Sequence, residues 1–528
     1  MASFIDDINR NMLPLWRSYD DTSLVRELEF TGQKVLPVRF ERYGDFKGAW
    51  DNKHSIISAA DLVNAAVASG KSNSPEALSA AEFMLGHQQD CSPLAIDVAH
   101  SIIEHGKVQS NIELPNKIPE FEERAGALIK GLTDQENKTK ARIGLLRRQI
   151  HNHCYNPILY CELSRCYATL GYNKKAEQYM DYAVYLAPQS RYIVRNAVRL
   201  YIHVKEIGKA KRVIFNSGLI NNDPWIISAE IALESLFGKN SRYVLKGRQL
   251  VFSGDISAFS CSELCFSICN VDREYGKRKD VRKMFYRGIE DPNDNSLAQA
   301  AFFAKNDNDF NVDLAKFDNL KHKNEADMRK SFGTGDYEGA FISSLLWMQD
   351  YRFEHRPIEY AFIISCDFLK KYDYAISIIK KSLEANPKDP VAVNNLAYAL
   401  GLSGHTNEAE QALSTIDIKK IPKENNQNYI CLAATWGLVE YRKGEIDAGR
   451  EMYNLAIQAA KKLGDDNLIV KARLNMIREE IRSSNVVDEK LLNEMESLRI
   501  GCNAETQQLK KDILAEAEKK KNQKTVNE

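Results

Sequence analysis

The chain has 528 residues, with 72 acidic side chains (Asp+Glu) and 72 basic side chains (Lys+Arg). This length exceeds what one compact core holds and predicts several domains or an extended array. The hydrophobic content of 44% excludes a largely disordered chain, and the balanced charge argues against nucleic-acid binding driven by an overall positive field. Since no stretch approaches the roughly 18 apolar residues of a membrane span, and the first residues lack a secretory signal pattern, we expect a cytoplasmic protein with reduced cysteines.

Residues 1–150 are predicted to form a mostly helical region outside the repeat pattern. The stretch 25–43 alternates apolar and polar residues around Thr31-Gly32, which favours a small β-hairpin, and Pro37 would confine it to a sheet edge. Further patterns predict helices at about 57–69, 75–86, 93–105 and 119–150. We favour a separate helical cap for this region over degenerate repeats.

An internal repeat organises residues 151–485. A small or β-branched residue recurs at a fixed place in similar segments, and a glycine often stands five residues before it. The markers are Ala176, Ala210, Val244, Val281, Ala340, Ala375, Ala409 and Gly449. Successive steps of 34 residues from Ala176 to Ala210 to Val244, and of 35 and 34 from Ala340 to Ala375 to Ala409, fit a helix–turn–helix unit in which two helices approach closely.

This period and residue pattern resemble the tetratricopeptide repeat family. The resemblance implies an all-α fold, an α-α superhelix (solenoid) of about eight helix pairs that stack and share one core. It is weak over residues 225–335, where one irregular or truncated repeat is expected near Ala315. Residues 486–528 are predicted to form a C-terminal helix and a solvated, lysine-rich tail.

The resemblance also implies that certain positions of each first helix face a concave groove that binds a partner. In this sequence the residues predicted at such positions are Arg165, Tyr192, Arg195, Arg199, Asn394 and Tyr398. The arginines suit capture of carboxylate or phosphate, or else pair with acids of neighbouring repeats. We therefore expect a groove that is basic near its start and polar and aromatic near its end, suited to a protein or peptide with an acidic portion.

Patterns that would indicate catalysis or a metal site are weak. Cys261, Cys265 and Cys269 form a stripe along one predicted helix, which is more typical of core packing than of a metal site. A second group lies close together at the start of the array, but its spacing fits no zinc module. It consists of His151, His153, Cys154 and Cys161. No catalytic residue, metal or cofactor is therefore predicted.

The sequence thus favours a non-enzymatic scaffold or adaptor that binds and positions a protein partner in its groove. Two alternatives stay open. A sensor of nucleic acid or nucleotide would bind in a strongly salt-dependent way through a set of basic residues. These are Arg165, Arg195, Arg199, Lys138, Lys140, Arg142, Arg147 and Arg148. An effector regulated by the repeats would carry an unrecognised activity in residues 1–150.

Overall fold

The fold is all-α, as predicted. The computed structural model describes residues 10–19, 43–68, 71–87, 91, 93–105, 121–307, 309–351, 354–385, 389–421, 426–484, 488–498 and 503–527, and contains no strand in these ranges. The hairpin predicted at 25–43 lies outside the described residues except for Tyr43, which begins a helix.

The helices belong to two compact units. The N-terminal unit comprises residues 10–123 and 135–326, and the C-terminal unit comprises residues 124–134 and 327–528. The chain first forms α1 (Tyr43–Asn52), α2 (Ile56–Ala68), α3 (Pro75–Gly86) and α4 (Pro93–His105). These four helices include the three short ones predicted from the sequence, and they share a core around Trp50, Leu62 and Met84. The long helix α5 (Phe121–Asn152) contributes residues to both units.

Paired helices form the rest of the N-terminal unit. They are α6 (Pro157–Thr169), α7 (Asn173–Leu186), α8 (Arg191–His203), α9 (Ile207–Asn216), α10 (Pro224–Leu236), α11 (Val244–Phe252), α12 (Ala258–Tyr275), α13 (Arg278–Gly288) and α14 (Asp294–Asn306). We call the first helix of each pair, namely α6, α8, α10, α12 and α14, an A helix. The sequence determines where each A helix begins, because a capping side chain accepts a hydrogen bond from a backbone N–H in the first turn. These caps are Asn156, Ser190, Asp223, Ser257 and Asn293.

The helices of the C-terminal unit continue the pairing. They are α15 (Asn324–Thr334), α16 (Tyr337–Asp350), α17 (His355–Ile363), α18 (Tyr372–Ala385), α19 (Pro390–Leu402), α20 (Thr406–Ser414), α21 (Gln427–Lys443), α22 (Ile446–Leu463), α23 (Asp466–Ser483), α24 (Glu489–Ser497) and α25 (Ala504–Asn527). Helix α15 starts within the N-terminal unit. Most of the predicted lysine-rich tail belongs to α25, where Lys520 Nζ donates to the carbonyl of Ile481 at 2.6 Å and so caps the end of α23.

The small residues that mark the period are buried at helix crossings, with one exception. Ala176, Ala210, Ala340, Ala375 and Ala409 are all 0% exposed. Val244 instead begins its helix and is only half-buried, and Gly247 is buried in its place. A Cβ atom at position 247 would lie 3.1 Å from Leu264 Cδ1, so the close approach is shifted by three residues in this unit.

Turns between paired helices contain a residue with a positive φ angle, as the glycine pattern indicates. Gly171 and Gly404 have φ angles of 73° and 90°, a region that glycine adopts without steric cost. Lys205 and Lys370 stand at the equivalent place in other pairs, with φ angles of 65° and 57°. The turn geometry is therefore retained even where the glycine is absent.

The helix pairing is interrupted near Ala315, where an irregular or truncated repeat is predicted. After α14 the chain forms only a short 3-10 helix, Leu314–Phe317, before α15 begins. Leu314 packs with Leu297 and Ala326 in a small separate cluster. Because α14 has no full-length second helix, the spacing of the repeat shortens here.

Candidate functional site

An extended segment of the chain itself crosses the A helices. Residues 10–19, called here the N-terminal segment, contain no helix. Arg10, Met12, Pro14 and Trp16 are buried, whereas the residues between them are half-buried, an alternation typical of an extended chain lying on a surface. The residues that receive the segment define the N-terminal groove: Glu162 of α6, Tyr192 of α8, Asn270 of α12, Asn295 and Gln299 of α14, and Glu325 of α15.

One end of the N-terminal groove binds the Arg10 guanidinium. Its Nε and Nη2 donate to the two carboxylate oxygens of Glu325, both at 2.8 Å. The remaining donors reach Gln299 Oε1 at 3.0 Å and Asn295 Oδ1 at 2.9 Å. The Arg10 side chain is 1% exposed and that of Glu325 is 6% exposed. This planar, two-pronged recognition selects arginine over lysine.

Side chains of the groove also hold the main chain of the segment. Asn270 Nδ2 donates to the Arg10 carbonyl at 3.0 Å, and Asn295 Nδ2 donates to the Leu13 carbonyl at 3.2 Å. In the opposite direction, Asn11 Nδ2 donates to the carbonyl of Ala232 in α10 at 2.8 Å. Contacts to main-chain atoms hold an extended peptide without reading its side chains.

Apolar anchors of the segment are deeply buried. Met12 and Trp16 are 0% exposed, and Tyr19 is 5% exposed. The Tyr19 ring packs edge-on against Tyr192, with ring centroids 5.4 Å apart. Large aromatic anchors of this kind usually carry most of the affinity in peptide recognition.

Glu162 organises the other end of the groove. Its carboxylate accepts hydrogen bonds from the Tyr19 backbone N–H at 2.8 Å, the Ser18 hydroxyl at 2.9 Å and Arg165 Nη2 at 3.1 Å. Burial by itself would raise the pKa of Glu162, but Arg165 and these hydrogen bonds hold it below its usual value. Glu162 is therefore an anion at neutral pH and orients the end of the segment.

The sequence-predicted residue Tyr192 lies in this groove. Its hydroxyl is 3.0 Å from Glu162 Oε1 and 3.2 Å from the carbonyl of Arg17, to either of which it donates. Burial, together with the negative charge of Glu162, raises the pKa of Tyr192 well above its usual range. The phenol therefore keeps its proton and remains a donor.

The three predicted arginines differ in their surroundings. Arg165 pairs with Glu162, and Glu162 in turn contacts the N-terminal segment. Arg195 forms a buried ion pair with Glu263, with Nη2 2.9 Å from both carboxylate oxygens, and its guanidinium lies 4.5 Å from the Trp225 ring centroid. Arg199 is half-buried on α8. Partner binding by these arginines remains a prediction.

The two predicted residues of the C-terminal unit are both buried. Asn394 Oδ1 accepts a hydrogen bond from Thr435 at 2.8 Å. The Tyr398 hydroxyl lies 3.3 Å from both Asn475 Oδ1 and Arg478 Nη1, and Tyr398 lines a cavity of about 240 Å³ together with Arg478. Their role in binding a partner also remains a prediction.

The cysteine stripe packs the core, as interpreted from the sequence. Cys261, Cys265 and Cys269 are each 0% exposed on α12, and burial raises the pKa of Cys261 to about 11. In the part of the chain that the structure describes, no group of three or more His, Cys, Asp and Glu side chains is arranged to hold a metal ion. Across those same residues, no helix is both long and apolar enough to cross a membrane.

Sequence reasoning missed most of the groove. Four groove residues lie in the region where the repeat register is weak, so their positions on the helices could not be assigned from the sequence: Asn270, Asn295, Gln299 and Glu325. Glu162 stands three residues before Arg165 on the same helix, and this spacing was a usable signal for the pair.

Comparison with known proteins identifies the repeat. Residues 378–411, which include α19, match a family model described as Tetratricopeptide repeat. Over these residues, the match confirms the predicted resemblance to the tetratricopeptide repeat family. No curated protein matches the sequence significantly.

Two solved structures are similar to this chain. Yeast Tom70 aligns over 77% of this chain and 97% of its own, with 13% identity and a TM-score of 0.31. The APC/C hetero-tetramer Cut9–Hcn1 aligns over 89% of this chain and 92% of that chain, with 12% identity and a TM-score of 0.36.

Proposed function

We propose that this protein is a non-enzymatic scaffold whose N-terminal groove binds an extended segment of a protein partner. The observation that carries the proposal is that the groove already holds an extended peptide, residues 10–19, through both main-chain and side-chain contacts. The groove side chains are thus already placed to hold an extended peptide, which lowers the cost of ordering them. The proposal places the protein in the cytoplasm and assigns no catalytic step to it.

The chemistry of the groove favours a basic partner segment. Glu162 and Glu325 meet the N-terminal segment directly, and Asp294 pairs with Arg17. An acidic partner, expected from the arginines of α6 and α8, would meet these carboxylates and be repelled. We therefore propose a partner segment that carries arginine, and not the acidic partner that the sequence favoured.

The nucleic-acid alternative has less support than the scaffold. Arg165 and Arg195, two of the eight basic residues that it would use, already pair with Glu162 and Glu263. Paired arginines offer little net positive charge to a phosphate backbone.

Affinity purification with groove variants tests the proposal. The tagged full-length chain would be purified from its own cells as wild type and as Asn270→Ala/Asn295→Ala, with mass spectrometry and the 260/280 nm absorbance ratio on each sample. Asn222→Ala, an exposed asparagine, is the matched control, and circular dichroism verifies that every variant is folded.

A protein recovered with wild type and control but lost from the double variant is the expected result. Equal recovery of the partner protein by all three chains would show that it does not bind in this groove. A raised absorbance ratio from co-purified nucleic acid would favour the sensor instead.

A further inference from the structure

We infer that the N-terminal segment occupies the place of the partner's segment, so that a partner must displace it in order to bind. The inference rests on the proposed function and adds two things to it. It specifies which residue types the partner segment must carry. It also states that residues 10–19 compete with the partner for the groove.

The mode of binding of residues 10–19 is that of a peptide ligand. The segment is held at intervals by side chains from successive repeats, with Glu325 and Asn270 toward one end and Glu162 and Tyr192 toward the other. Tetratricopeptide helix pairs bury their own apolar faces against neighbouring pairs. The segment lies against a surface of the A helices that is not used for packing between neighbouring pairs.

The contacts define what a competing segment must carry. An arginine is required at one end, because Glu325, Gln299 and Asn295 together satisfy the guanidinium of Arg10. A large aromatic residue is required six positions later, where Trp16 is fully buried. An extended chain covers roughly 20 Å over six residues, so this spacing fits a segment that crosses several repeats without folding. The partner chemistry is thus an extended segment with Arg and an aromatic residue six positions apart.

Competition from the same chain is strong. A segment attached to its own binding site has an effective concentration on the order of millimolar. An isolated peptide with the same sequence must overcome this concentration, so the intact chain should bind it weakly. Loss of one anchor in the attached segment should release the groove and raise the affinity for the peptide.

A titration with a labelled peptide tests the inference. A fluorescent peptide spanning residues 8–21 would be titrated by anisotropy into the full-length chain as wild type, Trp16→Ala, Arg10→Gln and Leu15→Ala. Leu15 is the half-buried neighbour of Trp16 and serves as the matched control. Arg10→Gln keeps the apolar anchors, so it provides a second released chain if Trp16→Ala folds poorly, and thermal melting verifies the fold of each variant.

The Trp16→Ala and Arg10→Gln chains should bind the peptide at least tenfold more tightly than wild type and Leu15→Ala do. Adding Glu325→Gln to the Trp16→Ala chain, or substituting glutamine for the arginine at position 10 of the peptide, should reverse most of this gain. Equal affinity across the four chains, or no binding to a folded released chain, would overturn the inference.

Light scattering on the same samples distinguishes two arrangements. In one, the segment binds the groove of its own chain, and in the other it binds the groove of a second copy. A wild-type monomer agrees with occupancy by the chain's own segment, whereas a wild-type dimer that Trp16→Ala converts to a monomer would overturn it. Failure of the peptide titration leaves the proposed function standing if the purified partner still depends on Asn270 and Asn295.

Discussion

Charged residues on the A helices are buried in pairs that join one repeat to another. Arg191 of α8 donates to Asp223 at the start of α10, and Arg195 donates to Glu263 of α12. Each acid lies far from its arginine in sequence, at separations of 32 and 68 residues. Arg195 was predicted from the sequence to bind a partner, but its guanidinium forms a buried ion pair inside the protein. A pattern within one helix does not show which distant acid will face it.

Removing one member of a buried pair should cost far more than removing an exposed arginine. Arg195→Met leaves the Glu263 carboxylate buried without its cation, which typically destabilises by about 3–5 kcal/mol. The double variant Arg195→Met/Glu263→Leu should recover part of this loss. Thermal unfolding followed by circular dichroism would measure the effects, with exposed Arg212→Met as the control, expected within about 0.5 kcal/mol of wild type. Equal midpoints for Arg195→Met and Arg212→Met would contradict the structural role.

The cysteines should differ sharply in reactivity. Cys154 is exposed, whereas Cys161, Cys265 and Cys269 are buried, and burial raises the pKa of each of these three thiols. Because the thiolate is the reactive form, brief treatment of the folded chain with iodoacetamide at pH 8 should alkylate Cys154 and spare the buried three. Peptide mapping would show the order, and labelling of Cys265 as fast as Cys154 would contradict the packing of α12.

At the level of helices, close crossings explain where the repeat needs small residues. In the pair α21 and α22, a Cβ atom at Gly437 would lie 2.7 Å from Tyr453 Cδ2 and 3.1 Å from the carbonyl oxygen of Gly449. The two glycines therefore face each other across the crossing. Neither helix can move away easily, because both are packed into the main core of the C-terminal unit.

Gly437→Ala should therefore destabilise the C-terminal unit by about 1–3 kcal/mol through overpacking. Gly126→Ala is the matched control, since position 126 lies inside helix α5, within the C-terminal unit, and a Cβ atom there meets nothing within 4 Å. The control should be neutral or stabilising by up to about 1 kcal/mol, because alanine favours helix over glycine. Urea denaturation would compare the midpoints. A Gly437→Ala midpoint at or above that of Gly126→Ala would show that the crossing is not close-packed.

The sequence predicted the helices well because their signals are local. The period, the small residues such as Ala176 and the turn glycines such as Gly171 each depend on neighbouring residues, and the structure places them as expected. The register was lost where a repeat departs from the rule. Gly247 replaces Val244 at one crossing, and α14 lacks a full-length second helix, so the residues of the groove there could not be placed.

At the scale of the molecule, the N-terminal groove is a surface built by several repeats and filled by residues distant in sequence. Arg10 and Glu325 are separated by 315 residues, and the segment 10–19 has no periodicity that would assign it to a helix pair. Such contacts depend on the assembled fold, which is why the sequence alone did not indicate that residues 10–19 lie against the A helices. The groove is proposed to recognise an extended partner segment that carries arginine and an aromatic residue.

Limited digestion with trypsin tests this account most directly. Trypsin cleaves after arginine in an accessible extended chain, but Arg10 and Arg17 are buried and pair with Glu325 and Asp294. Cleavage after both residues, followed by mass spectrometry, should be at least tenfold slower in the folded wild-type chain than in the free peptide of residues 8–21, and Trp16→Ala should abolish most of this protection. Cleavage of the wild-type chain after Arg17 as fast as that of the peptide would contradict the placement of the N-terminal segment in the groove.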